Sequence, residues 1–170
     1  LLSHLALTNA SPIPVTLAPQ CGNPILPTVL QTISESSPSN VFHVSQSPAK
    51  TNRIYQLAIF EAIPAGSFCC QLGIQFPAGY LISVIGSNLL LGVKIVFKDS
   101  PSQISFPNNW SVFGSVKPEQ CMNKVINSEI CPVGGGNLAF VFEISDFVTE
   151  ETSVEFVQDI NAGIFMTFNY

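Results

Sequence analysis

The 170-residue chain is poor in charge, and this shortage argues against several classes of protein. Only 10% of its residues are charged, and 6 Lys and Arg against 11 Asp and Glu give a formal net charge of −5. So few scattered cations cannot form the basic stripe that displaces counterions from phosphates, so we expect no nucleic-acid partner. Disorder is excluded as well, because it needs low hydrophobicity and dense charge, whereas 46% of this chain is hydrophobic.

Histidine is nearly absent, which narrows the catalytic chemistry open to the chain. His4 and His43 are the only two, and a Ser-His-Asp or Cys-His relay needs a histidine to take the proton of its nucleophile. His43 lies in the predicted strand 41–45, where an outward-facing residue or a half-buried one with satisfied hydrogen bonds is a simpler explanation than a catalytic base. A copper site on an N-terminal amine and His4 has no strong second ligand except His43.

Carboxylates are few, and each has an ordinary explanation. Glycoside hydrolysis needs two of them about 5 to 10 Å apart across a cleft. The candidates stand at strand ends or in polar loops, where they would meet water: Glu61, Glu143, Asp146, Glu150, Glu151 and Asp159. The glycine run at 134–136 lacks the Gly-Lys-Ser/Thr of a phosphate-binding loop. We therefore expect no catalytic, metal-binding or cofactor-binding residue.

The apolar residues follow the spacing of short β-strands. Apolar residues alternate with polar or small ones over 70–76, 138–144 and 164–169, which is the mark of a half-buried strand. Further strands are predicted near 41–45, 53–61, 80–85, 90–97, 110–116 and 122–126. No stretch of ten or more residues without Gly or Pro has apolar residues at the helical positions i, i+3, i+4 and i+7, so no helix is predicted. The sequence predicts an all-β, antiparallel β-sandwich, jelly-roll-like or Ig-like.

The chain divides into three predicted parts. Residues 1–10 are short, apolar and end in a small residue, and we interpret them as the remnant of a signal peptide. Residues 11–40 are rich in Pro, Ser and Thr and predict extended chain, and 41–170 predict a single sandwich domain. The uncharged stretch 62–93 is too interrupted by polar and turn residues to cross a membrane. We expect a secreted, extracellular protein.

Five cysteines agree with an oxidising compartment. None forms a Cys-x-x-Cys pair, so a zinc ribbon or a redox motif has no support. Cys121 and Cys131 flank a polar segment, which predicts a disulfide that closes this loop. Cys21 would then pair with Cys70 or with Cys69, and one thiol would be left over.

A glycosylation signal and the single tryptophan stand side by side. Asn109-Trp110-Ser111 is a sequon, so we predict that Asn109 carries a glycan in an exported protein. Trp110 lies between a predicted turn and a strand, where an amphipathic ring can contact a ligand. The alternative is that Trp110 is a core residue, as large aromatics often are in sandwiches.

Two segments resemble a known family. Ile63-Pro64, a Gly-Ser turn and the run 70–77 (Cys-Gln-Leu-Gly-Ile-Gln-Phe-Pro) resemble the signature of the But-two C-terminal domain family. The runs 154–159 and 162–165 are similar to its terminal strand, turn and strand, and the resemblance covers most of 20–170. The family is fungal, mostly secreted or at the cell surface, and named after a protein that binds a component of a ubiquitin-like pathway. The resemblance implies an all-β sandwich with structural disulfides and carries over no catalytic residues.

These observations predict a non-enzymatic module that serves binding or structure at the cell surface, in the cell wall or in secreted material. The expected partner is cell-wall polysaccharide or a second copy of the chain. Self-association is expected because low charge density removes the repulsion between monomers. The alternatives are a carbohydrate-binding module that uses Trp110 and, second, a secreted hydrolase.

Overall fold

The structure, a computed structural model, describes residues 21–34, 37–96 and 110–170. Within these ranges it contains thirteen strands and a 3₁₀ turn at Pro48–Lys50. The strands are β1 (Pro24–Ile25), β2 (Val29–Thr32), β3 (Val41–Ser47), β4 (Thr51–Ile54), β5 (Gln56–Ile63), β6 (Phe68–Phe76), β7 (Ser83–Ile85), β8 (Leu91–Val96), β9 (Trp110–Val116), β10 (Met122–Glu129), β11 (Gly136–Ile144), β12 (Thr152–Val157) and β13 (Gly163–Asn169). In the described part of the chain, no helix is long and apolar enough to cross a membrane.

The strands form three antiparallel sheets, and the prediction of an all-β antiparallel sandwich is confirmed. Sheet A has the order β1-β13-β6-β10, sheet B the order β2-β5-β11-β8-β9, and sheet C the order β4-β3-β12-β7. Each strand predicted from alternation has a counterpart. Both β1 and β2 lie before residue 41 and pair within sheets A and B. The sandwich therefore begins earlier than the predicted boundary.

One aromatic-rich core joins the three sheets. Phe42 of β3 stacks on Phe156 of β12, with ring centroids 4.4 Å apart, and meets Phe142 of β11 edge-on at 5.3 Å. Phe76 of β6 contacts Phe156 at 4.8 Å. These rings belong to a single cluster of buried residues from sheets A, B and C. The alternating apolar positions of the sequence therefore fill the space between the layers, as the period of two requires.

Sheet B differs from an ordinary sandwich sheet because both of its faces carry buried apolar residues. Its inner face belongs to the common core, while Leu57, Ile59, Val96 and Val141 form a second cluster on its outer face. This explains why β5 is buried at five consecutive positions, from Gln56 onward, instead of alternating. Partly buried side chains on this outer face, among them Tyr55 and Trp110, pack against the second cluster.

Two disulfides connect β6 to other parts of the chain, and their pairing agrees with the prediction only in part. Cys21 pairs with Cys69 and Cys70 pairs with Cys131, with Cα–Cα distances of 5.8 and 5.3 Å. Adjacent positions of β6 point in opposite directions, so Cys70 lies buried toward the core whereas Cys69 is exposed. Cys121 is an exposed free thiol. The predicted bridge Cys121–Cys131 is therefore wrong, and of the two partners predicted for Cys21, Cys69 is correct and Cys70 is not.

The extended conformation of β10 explains the error. Residues Met122–Glu129 form one strand between Cys121 and Cys131. At a rise of about 3.3 Å per residue, the two cysteines lie roughly 30 Å apart along it. A disulfide needs Cα atoms within about 7 Å, so a short separation in sequence does not bring these thiols together.

We expect the double variant Cys70→Ala/Cys131→Ala to lose about 4 kcal/mol of unfolding free energy in urea, from the chain-entropy cost of a loop of this length. The bridged cysteines are 61 residues apart in sequence. Cys121→Ala is the matched control and should leave stability unchanged. Alkylation of the native, unreduced protein should modify Cys121 alone, and a peptide that links Cys121 to Cys131 would contradict the pairing.

We expect Phe142→Ala to lower the free energy of unfolding by about 3 to 5 kcal/mol, because it leaves a cavity among packed rings. Phe147→Ala provides the comparison from the same part of the chain, since the Phe147 side chain is 92% exposed. Chemical denaturation should show a change below about 0.5 kcal/mol for this control. Equal losses in the two variants would contradict the assignment of core and surface.

Candidate functional site

A groove of about 490 Å³ lies on the outer face of sheet B, and we call it the outer groove. Val112, at 83% exposure, and Phe147, at 92%, form its apolar rims. Polar and charged side chains of β8, β9, β11 and the following turn line the rest: Lys94, Ser115, Glu143, Ser145 and Asp146. Large apolar side chains above a polar floor are typical of a binding surface, because ordinary surfaces seldom expose such groups together.

Four charged side chains at the groove are paired with one another, and we call them the charge network. Glu143 is the centre, with its carboxylate 2.7 Å from Lys94 Nζ and 3.5 Å from Arg53 Nη2. Arg53 Nη1 donates to Asp146 Oδ1 at 2.9 Å, and its Nη2 also donates to the carbonyl of Ile144. The Glu143 side chain is only 5% exposed. A carboxylate so deeply buried requires such partners, because an unpaired buried charge is strongly destabilising.

The charge network holds Asp146 in its ionised form. The hydrogen bond from Arg53 is the main cause that lowers the pKa of Asp146 below its ordinary value of 3.8, against a smaller opposing effect of burial. The acid of a glycoside hydrolase needs a raised pKa so that it keeps its proton until the bond breaks. Glu143 and Asp146 do converge, but Arg53 bridges them, and the shift at Asp146 has the opposite sign.

Two aromatic rings continue the site beyond the groove. Lys94 Nζ lies 5.9 Å from the centroid of the Trp110 ring, and Arg53 Cζ lies 5.4 Å from that of Tyr55. The two rings meet edge to face at 6.1 Å. Because each cation of the charge network also faces a ring, the rings and the ion pairs hold one another in place. Trp110 and Tyr55 are half-buried and pack on the outer apolar cluster.

A β-bulge in β9 places Trp110 on this face. The register with β8 passes from Val93 opposite Gly114 directly to Lys94 opposite Val112, so that Phe113 is an extra residue. Phe113 points into the core, 5.0 Å from the ring of Phe140. The strand beyond the bulge is therefore turned, and Val112 and Trp110 face outward beside Lys94.

The other predicted site residues lie elsewhere. Asn109 falls outside the described residues, as do His4 and the whole of 1–20. Glu150 accepts hydrogen bonds from the amides of Ser87 and Asn88, and Asp159 accepts one from the amide of Asn161, so both have structural roles. Within the described ranges, no three His, Cys, Asp or Glu side chains converge on a point that could hold a metal ion.

His43 lies on a different sheet and belongs to a hydrogen-bonded chain. On the outer face of sheet C its Nδ1 is 3.1 Å from Glu155 Oε2, and its Nε2 is 3.2 Å from Ser45 Oγ. Neither Ser45 nor Glu155 stands out in the sequence. The two-residue spacing of Ser45 from His43 can be read from the sequence and places both on one face of a strand. The approach of Glu155 depends on the pairing of β3 with β12, which the sequence does not show.

Comparisons with known proteins give one solved structure and no family. No family model matches the chain, and the search of curated proteins gives no match. The CBM22-2 xylan-binding domain of Paenibacillus barcinonensis Xyn10C aligns with 84% of this chain and 92% of its own, at 11% identity and a TM-score of 0.34. A likeness this weak identifies neither a family nor a ligand for this chain. The resemblance to the But-two family stays a prediction.

We expect Arg53→Met to raise the pKa of Asp146 toward 3.8, because it removes the principal hydrogen-bond donor to the carboxylate. Lys50→Met is the control, since Lys50 is the smallest cause of the shift. NMR titration of the Asp146 carboxyl carbon measures both. An unchanged pKa in the Arg53 variant would contradict the proposed pairing.

The same shift has a consequence for stability. A depressed pKa in the folded state contributes stability that is present above about pH 4 and is lost as the pH falls through the folded value. Asp146→Asn removes the ionisable group. The difference in unfolding free energy between the wild type and this variant should therefore shrink on acidification below pH about 4.

Proposed function

We propose that the protein is a non-enzymatic extracellular binding module that holds a neutral polysaccharide chain against the outer face of sheet B. The observation that carries the proposal is the outer groove with its exposed rims, its floor of paired charges and its continuation in Trp110 and Tyr55. The site offers apolar and polar contacts within one open surface.

The chemistry of a sugar chain matches both kinds of contact. A sugar ring has apolar C–H faces, which pack on aromatic and aliphatic side chains, and hydroxyl groups that both donate and accept hydrogen bonds. Phe147, Val112 and the half-buried Trp110 serve the first requirement. Carboxylates that accept and cations that donate, held in place by their pairing, serve the second.

The charge balance favours a neutral ligand. The network contains two cations and two carboxylates, and its net charge is zero while all four are ionised. A charged polymer could gain ion pairs with the network only by breaking the existing ones, which would leave Glu143 buried and unpaired. A neutral chain can join the network without breaking it, and its affinity should depend little on ionic strength.

A hydrolase remains the weaker alternative. Its support is that Glu143 and Asp146 converge on one groove, and its difficulty is that Arg53 neutralises both and lowers the pKa of Asp146. The pairing leaves neither carboxylate free to act on a glycosidic bond. A binding role uses the same groups as they stand.

The proposed location is extracellular, in secreted material or at a cell wall. Two disulfides among the described residues are compatible with an oxidising compartment, where such bridges persist. The predicted signal remnant, the predicted glycan at Asn109 and the resemblance to a fungal secreted family agree with this location. None of these three is needed for the groove itself.

Self-association is a second candidate, and one surface favours it. Leu81, Val84 and Ile85 are 84%, 45% and 54% exposed, and the last two belong to β7 at an edge of sheet C. An apolar edge strand without charge can pair with another chain. Sedimentation velocity should show an oligomer that Val84→Lys abolishes, and a monomer at high concentration would eliminate this candidate.

Trp110 provides a direct test of polysaccharide binding, because it is the chain's single tryptophan. Titration with soluble β-glucan, xylan or mannan should change its fluorescence emission and retard the protein in affinity electrophoresis. Trp110→Ala should weaken retention by roughly tenfold or more, as buried aromatic anchors do. The substitution keeps the sequon at Asn109 intact, so a loss would not reflect an altered glycan.

Tyr170→Ala is the matched control for that experiment. Tyr170 is 85% exposed and follows β13 of sheet A, so retention should be unchanged. Polygalacturonate serves as the charged comparison and should be bound less well than the neutral polymers. If no polysaccharide retards the folded wild type, or if the Trp110 and Tyr170 variants behave alike, the proposed site is wrong.

A further inference from the structure

A hydrogen-bonded chain of Ser45, His43 and Glu155 lies on the outer face of sheet C, separate from the outer groove. Ser45 and His43 are two residues apart on β3, so their side chains point to the same face. Glu155 of β12 is directly opposite His43 in the antiparallel register. The chain runs from Ser45 Oγ to His43 Nε2 over 3.2 Å, and from His43 Nδ1 to Glu155 Oε2 over 3.1 Å.

The roles of donor and acceptor in this chain follow from the carboxylate. An ionised carboxylate can only accept, so Nδ1 of His43 must carry the hydrogen. In the neutral imidazole, Nε2 is then the unprotonated nitrogen, and Ser45 must donate its hydroxyl hydrogen to it. Glu155 therefore acts as a positioning residue that selects the tautomer in which His43 can remove a proton from Ser45.

The hydrogen-bonded side chains of His43 and Glu155 are accessible to molecules in solution. The His43 side chain is 32% exposed and that of Glu155 is 54% exposed. A groove of about 280 Å³ beside them is lined by His43 and Glu155 together with Thr32, Ser39 and Val41. Ser45 is half-buried and does not line this groove itself, but its hydroxyl is hydrogen-bonded to His43, which does. A small electrophile that enters the groove therefore contacts the histidine and meets Ser45 only at the groove's margin.

We propose that Ser45 is a reactive serine that accepts an acyl or phosphoryl group from an activated donor. Ser45 Oγ attacks the electrophilic carbon or phosphorus, and its hydrogen passes as a proton to His43 Nε2. The new O–C or O–P bond forms as the bond to the leaving group breaks, and the leaving group departs with the electron pair. Glu155 stabilises the imidazolium, which then returns its proton to the leaving group or to water.

The surroundings favour a stable adduct rather than turnover. β3 is an inner strand of sheet C, and Ser45 is paired with Ser153 on one side and with Ile54 on the other. Backbone amides in such ladders point to neighbouring carbonyls, not toward an oxyanion on a bound ester. Without such donors, formation and hydrolysis of the ester each lose on the order of a hundredfold or more in rate, so only a strongly activated donor reacts and the adduct then persists. Ser45 is thus a modification site, which agrees with a binding module.

A fluorophosphonate probe tests this inference on the intact protein, with fluoride as the leaving group. Mass spectrometry should find one adduct, and peptide mapping should place it on Ser45. Ser45→Ala should abolish it, and His43→Gln should slow labelling by about a hundredfold or more, the usual contribution of a positioned base. Ser47→Ala is the matched control, because Ser47 lies two residues further on the same face of β3 but contacts Asn52 instead of a histidine. It should label normally.

The tautomer of His43 gives an independent readout that a merely structural role would not require. Nitrogen-15 NMR of the wild type should show hydrogen on Nδ1, and Glu155→Ala should return His43 to the Nε2–H form preferred by a free side chain. Failure of the wild type to form an adduct, equal labelling of many serines, or an Nε2–H tautomer in the wild type would each overturn the proposal. None of these results bears on polysaccharide binding at sheet B.

Discussion

The pairing of one buried carboxylate constrains the outer face of sheet B. Glu143 is almost wholly enclosed, and Lys94 and Arg53 approach its carboxylate from two strands, which compensates the cost of burying it. These cations in turn face the rings of Trp110 and Tyr55, so that one electrostatic requirement fixes two ion pairs and two aromatic side chains. Both rings also pack on the outer apolar cluster beneath them. A polar surface organised in this way is preformed, which reduces the cost of binding a ligand.

The three sheets have different roles. The inner face of sheet B and the facing sides of sheets A and C form the aromatic core, which the two disulfides reinforce near β6. The outer face of sheet B carries the proposed polysaccharide site. The outer face of sheet C carries the hydrogen-bonded side chains of Ser45, His43 and Glu155. Because these two surfaces have no side chain in common, a change on one should leave the other intact.

The sequence predicted most of the strands but little of the site, for identifiable physical reasons. Alternation of apolar residues is a local property, so strands such as β6, β11 and β13 were recognisable. Strict alternation over β9 would put Trp110, Val112 and Val116 on one face, but the bulge at Phe113 turns the first two outward. The pairs Lys94–Glu143 and His43–Glu155 depend on strand order and register, which spacing does not encode. The prediction of a Cys121–Cys131 disulfide was wrong for the same reason, since a strand separates these two cysteines.

The most direct test of the central claim is to map the bound polysaccharide on the protein by amide chemical shifts. Nitrogen-15-labelled protein would be titrated with the neutral polysaccharide that it retains best. Binding at the outer groove should produce shifts concentrated in β8, the bulged part of β9 and residues 143–147, with the side-chain signal of Trp110 among the largest. Shifts confined to sheets A or C, with β8 and β9 unaffected, would contradict it.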